Sequence, residues 1–197
     1  MFILVRPIKG FYEMKFEQRG TVRFALLNFL FVCISFSFMN QYSSILVNDR
    51  HPLWLNSITD FVQLALVLLL FCTSNWAITS LTDGEGKFKE IIMMVCYAMT
   101  PFVVILIPAT FLSNALTMQE TGFYTLLINF SIGWFVILVF VGLIVIHNLT
   151  VFKTILTVFL TFMALLIIVF LITLLFTLIQ QLYVFVYSVY QEISFRM

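Results

Sequence analysis

Phe123-Tyr-Thr-Leu-Leu-Ile-Asn-Phe-Ser-Ile-Gly-Trp-Phe-Val-Ile-Leu-Val-Phe-Val-Gly-Leu-Ile-Val-Ile146 decides the fold. It carries no charged side chain and exceeds the roughly 20 apolar helical residues that cross a hydrocarbon core of about 30 Å. Four further runs of this kind flank it: Val22 to Met39, Ile58 to Ile78, Ile91 to Leu112, and a last one from about Thr154 to Ile179. Backbone polar groups in lipid must be satisfied internally, so each run reads as a helix. A barrel would need alternating strands of about ten residues. These runs do not alternate and are twice that length.

Composition agrees. The chain is 62% hydrophobic and only 10% charged, with 24 phenylalanines, where a soluble domain is about half apolar and a quarter charged. A water-soluble interior of this size could not hide that much apolar surface, whereas a bilayer solvates it. The expected fold is all-α: a five-helix transmembrane bundle in one domain over residues 1–197. No cleavable signal is read ahead of the first span, which then doubles as the insertion signal.

Ahead of that span, Ile8 to Gly20 reads as an amphipathic helix on the membrane surface. Ile8, Phe11, Tyr12 and Phe16 share a face, with Lys9, Glu13 and Glu17 toward the other. Lys15 and Arg19 fall near the apolar face and would have to snorkel. At the other end, Gln180 and Gln181 lead into the aromatic run 182–190. That run either continues the last helix or forms a second interfacial one. Eight of the ten basic residues precede or begin span one, or fall between spans two and three or between spans four and five. The positive-inside rule then puts the N-terminus in the cytoplasm and the C-terminus outside.

Asp83, Gly84, Glu85, Gly86, Lys87, Phe88, Lys89 and Glu90 form the most polar internal segment, a hairpin between spans two and three. It could dock a partner or be a solvated turn. Its glycines suggest backbone angles that other residues resist. Its acidic ligands are too few for a calcium loop. In span three, Pro101 and Pro108 free the carbonyls of Tyr97 and Val104 on nearly one face. This face reads as a packing kink or, with Asn75, Tyr97, Thr100 and Asn129, as the lining of a solute path. Cys72, Asn75 and Thr79 share one helix face, as do Asn129 and Gly133. Thr150, Thr154, Thr157 and Thr161 form a stripe entering span five. Such small and hydroxylated residues suit close helix packing.

Cys33, Cys72 and Cys96 lack metal-ligand spacing and read as small buried residues. Asp60 and His147 sit at span ends without an evident partner, and His147 and His51 stand alone. No nucleophile, phosphate-loop or metalloprotease motif appears. Accordingly no catalytic residue, metal or cofactor is expected, and the absence of a basic run argues against nucleic acid as a partner.

Several segments together resemble the bacterial branch of the Yip-one domain family. They are Pro7-x-x-Gly-Phe-Tyr-Glu-Met-Lys15, Asn75-Trp76, the hairpin Ser80 to Lys89 and Cys96-Tyr-Ala-Met-Thr-Pro101. Pro108, Leu112-Ser-Asn114 and Gly142-x-x-x-x-His147 extend the likeness. The resemblance implies five spans, a cytoplasmic N-terminus and no enzymatic activity. Eukaryotic relatives are linked to vesicle traffic through small GTPases and to membrane shaping, and some bacterial ones to ABC transporters. The leading expectation is therefore a non-catalytic accessory or scaffold subunit in the bacterial cytoplasmic membrane. Its partners would be the lipid bilayer and another membrane protein such as ABC transporter subunits. The alternatives are a small-solute channel or carrier acting as a homo-oligomer, and a membrane-shaping protein working through the N-terminal helix.

Overall fold

A computed structural model describes residues 2–17, 19–48, 56–82 and 84–196. Arg50, His51 and Asp83 lie outside the described residues. Among the described residues every element is helical. In chain order they are α1 (Phe2–Val5), α2 (Pro7–Phe16), α3 (Val22–Tyr42), α4 (Ser57–Leu81), α5 (Phe88–Ala98) and α6 (Thr100–Ser113). A 3-10 turn at Met118–Glu120, α7 (Thr121–His147) and α8 (Val151–Arg196) complete the order. α3, α4, α5 with α6, α7 and α8 make five segments long and apolar enough to cross a membrane.

Local chemistry fixes several helix ends. The Thr21 hydroxyl accepts from the Phe24 N–H at 3.4 Å, and Asn56 Oδ1 accepts from the Ile58 N–H at 3.0 Å. These side chains satisfy first-turn donors that have no intrahelical partner. Asn148 stops α7 in a left-handed conformation, φ 52°. The Leu149 N–H then folds back onto the Ile144 carbonyl at 3.2 Å. Asn tolerates that conformation better than most residues, which suits it to end a helix.

The third span is the central one. Half of its most apolar window is buried, against 11% for the fifth. α3 packs on α5 and α6, α7 packs on both from another side, and α8 leans mainly on α4. The central span is also broken. Pro101 cannot donate to the Tyr97 carbonyl, so α5 ends at Ala98 and α6 begins at Thr100. The freed groups are covered from within the protein. Thr100 Oγ1 donates to the Tyr97 carbonyl at 2.6 Å, and Asn28 Nδ2 on α3 donates to the Cys96 carbonyl at 2.7 Å. Pro108, by contrast, lies inside α6 without interrupting it.

Two expectations are corrected, and one alternative left open is decided. The N-terminal helix is Pro7–Phe16 rather than Ile8 to Gly20, and its apolar face is divided. Gly10, Phe11 and Met14 are buried, and the helix packs against α7, while Ile8, Tyr12 and Phe16 remain exposed. Asp60 is not without a partner, because Asn40 Nδ2 on α3 donates to its Oδ2 at 2.8 Å. For the aromatic run after Ile179, the structure has the first of the two arrangements left open, a continuation of the last helix. α8 runs unbroken through the aromatic segment for 46 residues, about 69 Å. With neither glycine nor proline from Val151 onward, nothing in the chain interrupts it.

Candidate functional site

The hairpin between α4 and α5 lies against the end of α7, and a line of polar groups holds it there. The Gly86 N–H donates to His147 Nδ1 at 3.3 Å. That nitrogen therefore holds a lone pair, and Nε2 carries the proton it gives to Asn75 Oδ1 at 3.1 Å. Asn75 Nδ2 donates to Thr161 Oγ1 at 3.2 Å, and the Thr161 hydroxyl donates to the Thr157 carbonyl at 2.7 Å. Every donor in this line points the same way, from the hairpin through α7 and α4 to α8. Asn75, His147 and Thr161 are each at most 1% exposed. Buried polar side chains are costly unless paired, and here each finds its complement.

The glycines serve proximity rather than unusual backbone angles. No glycine among the described residues has a positive φ. A Cβ on Gly84 would stand 2.8 Å from the Thr79 Cβ and 2.9 Å from His147 Nδ1. On Gly86 it would stand 2.6 Å from His147 Cε1 and 2.7 Å from Ile146 Cγ2. The hairpin backbone comes this close to the imidazole only because neither residue has a side chain. Gly84 N–H also bonds the Thr79 carbonyl at 2.8 Å, which ties the hairpin to the end of α4.

Lys15 closes the latch from the N-terminal helix. Its Nζ donates to the Ile146 carbonyl at 2.7 Å and lies 3.4 Å from the Glu85 carboxylate. The side chain is only 9% exposed. A cation at the C-terminal end of α7 meets the negative pole of that helix and one of its unpaired carbonyls. Instead of snorkelling, Lys15 joins α2, the hairpin and α7.

The other hairpin side chains divide by direction. The Glu90 carboxylate accepts from the Lys87 N–H at 3.1 Å and so caps the start of α5. Phe88 meets Trp76 edge-on, ring centroids 6.0 Å apart. Glu85, Lys87 and Lys89 are exposed. The span residues considered for a solute path do not meet around one space. Asn75 belongs to the latch, and the Tyr97 hydroxyl donates to the Thr21 carbonyl at 3.2 Å. Thr100 and Pro101 make the break in the central span, while Pro108 and Asn129 are exposed on the outside of the bundle. A cavity of about 270 Å³ between α4, α5, α7 and α8 is walled by apolar side chains, among them Leu68, Phe71, Met99, Phe135 and Leu143. Among the described residues no three His, Cys, Asp or Glu side chains converge as a metal site.

Sequence reasoning missed the parts of the latch that are far apart in the chain. His147 is not isolated: its partners Gly86 and Asn75 lie 61 and 72 residues away. Lys15 and the Ile146 carbonyl are 131 residues apart. One signal was available, the position of Lys15 on the apolar side of its helix, where a charge needs a specific partner.

No match was found among curated proteins or among solved structures. The sequence profile of the Yip1 domain matches residues 1–174, which include the latch, the hairpin and all five apolar segments up to the middle of α8. The chain, a multi-pass helical membrane protein, therefore belongs to the Yip1 domain family.

Proposed function

We propose that this protein is a non-catalytic scaffold or accessory subunit in a bacterial cytoplasmic membrane, which engages another membrane complex through the hairpin. The N-terminus and hairpin would face the cytoplasm and the C-terminus the outside, as the distribution of basic residues favours. An ABC transporter is the partner that the family resemblance suggests. One observation carries the reading: the hairpin backbone is pinned by the latch while Glu85, Lys87 and Lys89 point outward. A charged surface held in one conformation loses little entropy when a partner binds it.

The test is co-purification in mild detergent from membranes of the native host. The intact chain should retain a defined membrane partner, ABC transporter subunits among the candidates. Lys87→Glu with Lys89→Glu should release it while leaving the helical bundle's melting unchanged. Unaltered recovery of the partner would remove the hairpin from the proposal. A second reading, membrane shaping, is favoured by the exposure of Ile8, Tyr12 and Phe16 on α2. Vesicle morphology with the intact chain and with Tyr12→Ser, Phe16→Ser would separate the two readings.

A further inference from the structure

The outer half of α8 is an apolar helix that stands away from the bundle core among the described residues. All residues from Leu171 to Phe195 are exposed. α8 starts at Val151, on the latch side of the bundle, and about 20 residues carry it across the hydrocarbon. The apolar run continues to Ile179, and the remainder, opening with the polar pair Gln180 and Gln181, extends past the far boundary in the same unbroken helix. It also lies outside the matched family domain, which ends at residue 174. In water, a helix this apolar requires cover.

Its sequence indicates what covers it. Leu175, Ile179, Leu182, Val186, Val189 and Ile193 recur at alternating spacings of four and three. This is the heptad spacing of a coiled coil. In that register Ile172, Ile179, Val186 and Ile193 take position a, all of them β-branched. Leu175, Leu182 and Val189 take position d. β-Branched residues at a with leucine at d favour two parallel strands. Gln180, Gln181, Ser188, Gln191 and Ser194 fall at positions b, c and f, on the outside of such a pair. The seam continues the stripe that packs on α4 lower down, where Thr154, Thr157 and Thr161 are buried. Two copies inserted the same way round in one membrane can bring their α8 helices together only in parallel.

We propose that the distal half of α8, from about Leu175 to Ile193, pairs with the same segment of a second copy as a parallel two-stranded coiled coil. The occupant of this face is thus another molecule of the same chain. The pairing does not depend on the hairpin's function and can fail or hold independently of it.

Single cysteines introduced into the full-length chain in its own membrane test this. Val186→Cys, Val189→Cys and Ile193→Cys should oxidise to a covalent species of twice the chain mass. Gln181→Cys, Ser188→Cys and Gln191→Cys should not. The unmodified chain is the control, since Cys33, Cys72 and Cys96 are buried. In detergent, Val186→Asp should halve the particle mass measured by light scattering, whereas Ser188→Asp should leave it unchanged. Both variants should melt like the parent, because neither residue contacts the bundle. Cross-links of equal yield at all six positions would overturn the proposal. So would adducts of another mass, which would indicate a different protein partner, or seam cysteines reactive only with a lipid-borne probe.

Discussion

His147 bridges two groups that would otherwise be buried without partners, the Asn75 carbonyl oxygen and the Gly86 N–H. Removing one member of such a pair leaves the other dry, at a cost of about 1–3 kcal/mol per group. His147→Leu should therefore lower stability by roughly 2–6 kcal/mol on this arithmetic. Asn75→Ala in that background should cost clearly less than Asn75→Ala alone, because residues in one network are not additive. Thermal unfolding of the four proteins in one detergent gives the coupling directly, and strict additivity would mean that the bonds are not linked. The glycines offer an independent probe at the same scale. Gly86→Ala forces a methyl against the imidazole and should cost about 1–3 kcal/mol. Gly133→Ala meets open space and should cost nothing measurable. Equal behaviour of the two variants would show that the hairpin does not rest on His147.

At the scale of elements, hydropathy made the spans legible because lipid-facing segments must be apolar along their whole length. A disturbance of the third span at Pro101 was likewise legible, since proline removes a donor, but nothing distinguished it from Pro108, which leaves α6 unbroken. What closes the break was not legible. Asn28 lies 68 residues from the Cys96 carbonyl it covers, and nothing in its neighbourhood in α3 announces that contact. The length of α8 was obscured for a different reason. Hydropathy falls at Gln180 and Gln181, but a drop in hydropathy marks where a helix leaves lipid, not where it ends. The break yields a prediction of its own. Asn28→Leu keeps the volume but strips the Cys96 carbonyl of its side-chain donor, and should destabilise the bundle by about 1–2 kcal/mol. Asn28→Asp should be worse, because a carboxylate beside two acceptors, the Cys96 carbonyl and Thr100 Oγ1, has no proton to give. Melting in a series of detergents checks both, and an unperturbed Asn28→Leu would assign the closure to Thr100 alone.

Across the whole molecule, the latch joins what the chain keeps farthest apart, the N-terminal helix, the hairpin and the ends of α7 and α8. Lys15 is the member whose loss should be felt at a distance. Its ammonium is nearly enclosed and serves the Ile146 carbonyl and the Glu85 carboxylate together. Lys15→Met preserves the aliphatic stem yet removes both contacts, so the hairpin should open more often without the bundle unfolding. If about 1.4 kcal/mol is lost from the closed state, the open fraction rises about tenfold. Trypsin cleavage after Lys87 and Lys89 reads that fraction when cleavage is slow relative to reclosing. Glu85→Gln should accelerate cleavage far less, because Glu85 is 58% exposed and its ion pair is screened by water. Adding salt separates the two contributions, since screening weakens the Glu85 pair but barely affects a hydrogen bond to a helix-end carbonyl. A cleavage rate in Lys15→Met equal to that of the parent would mean that the hairpin is held by His147 and the glycine contacts alone, and that α2 stabilises the bundle only through Phe11 and Met14.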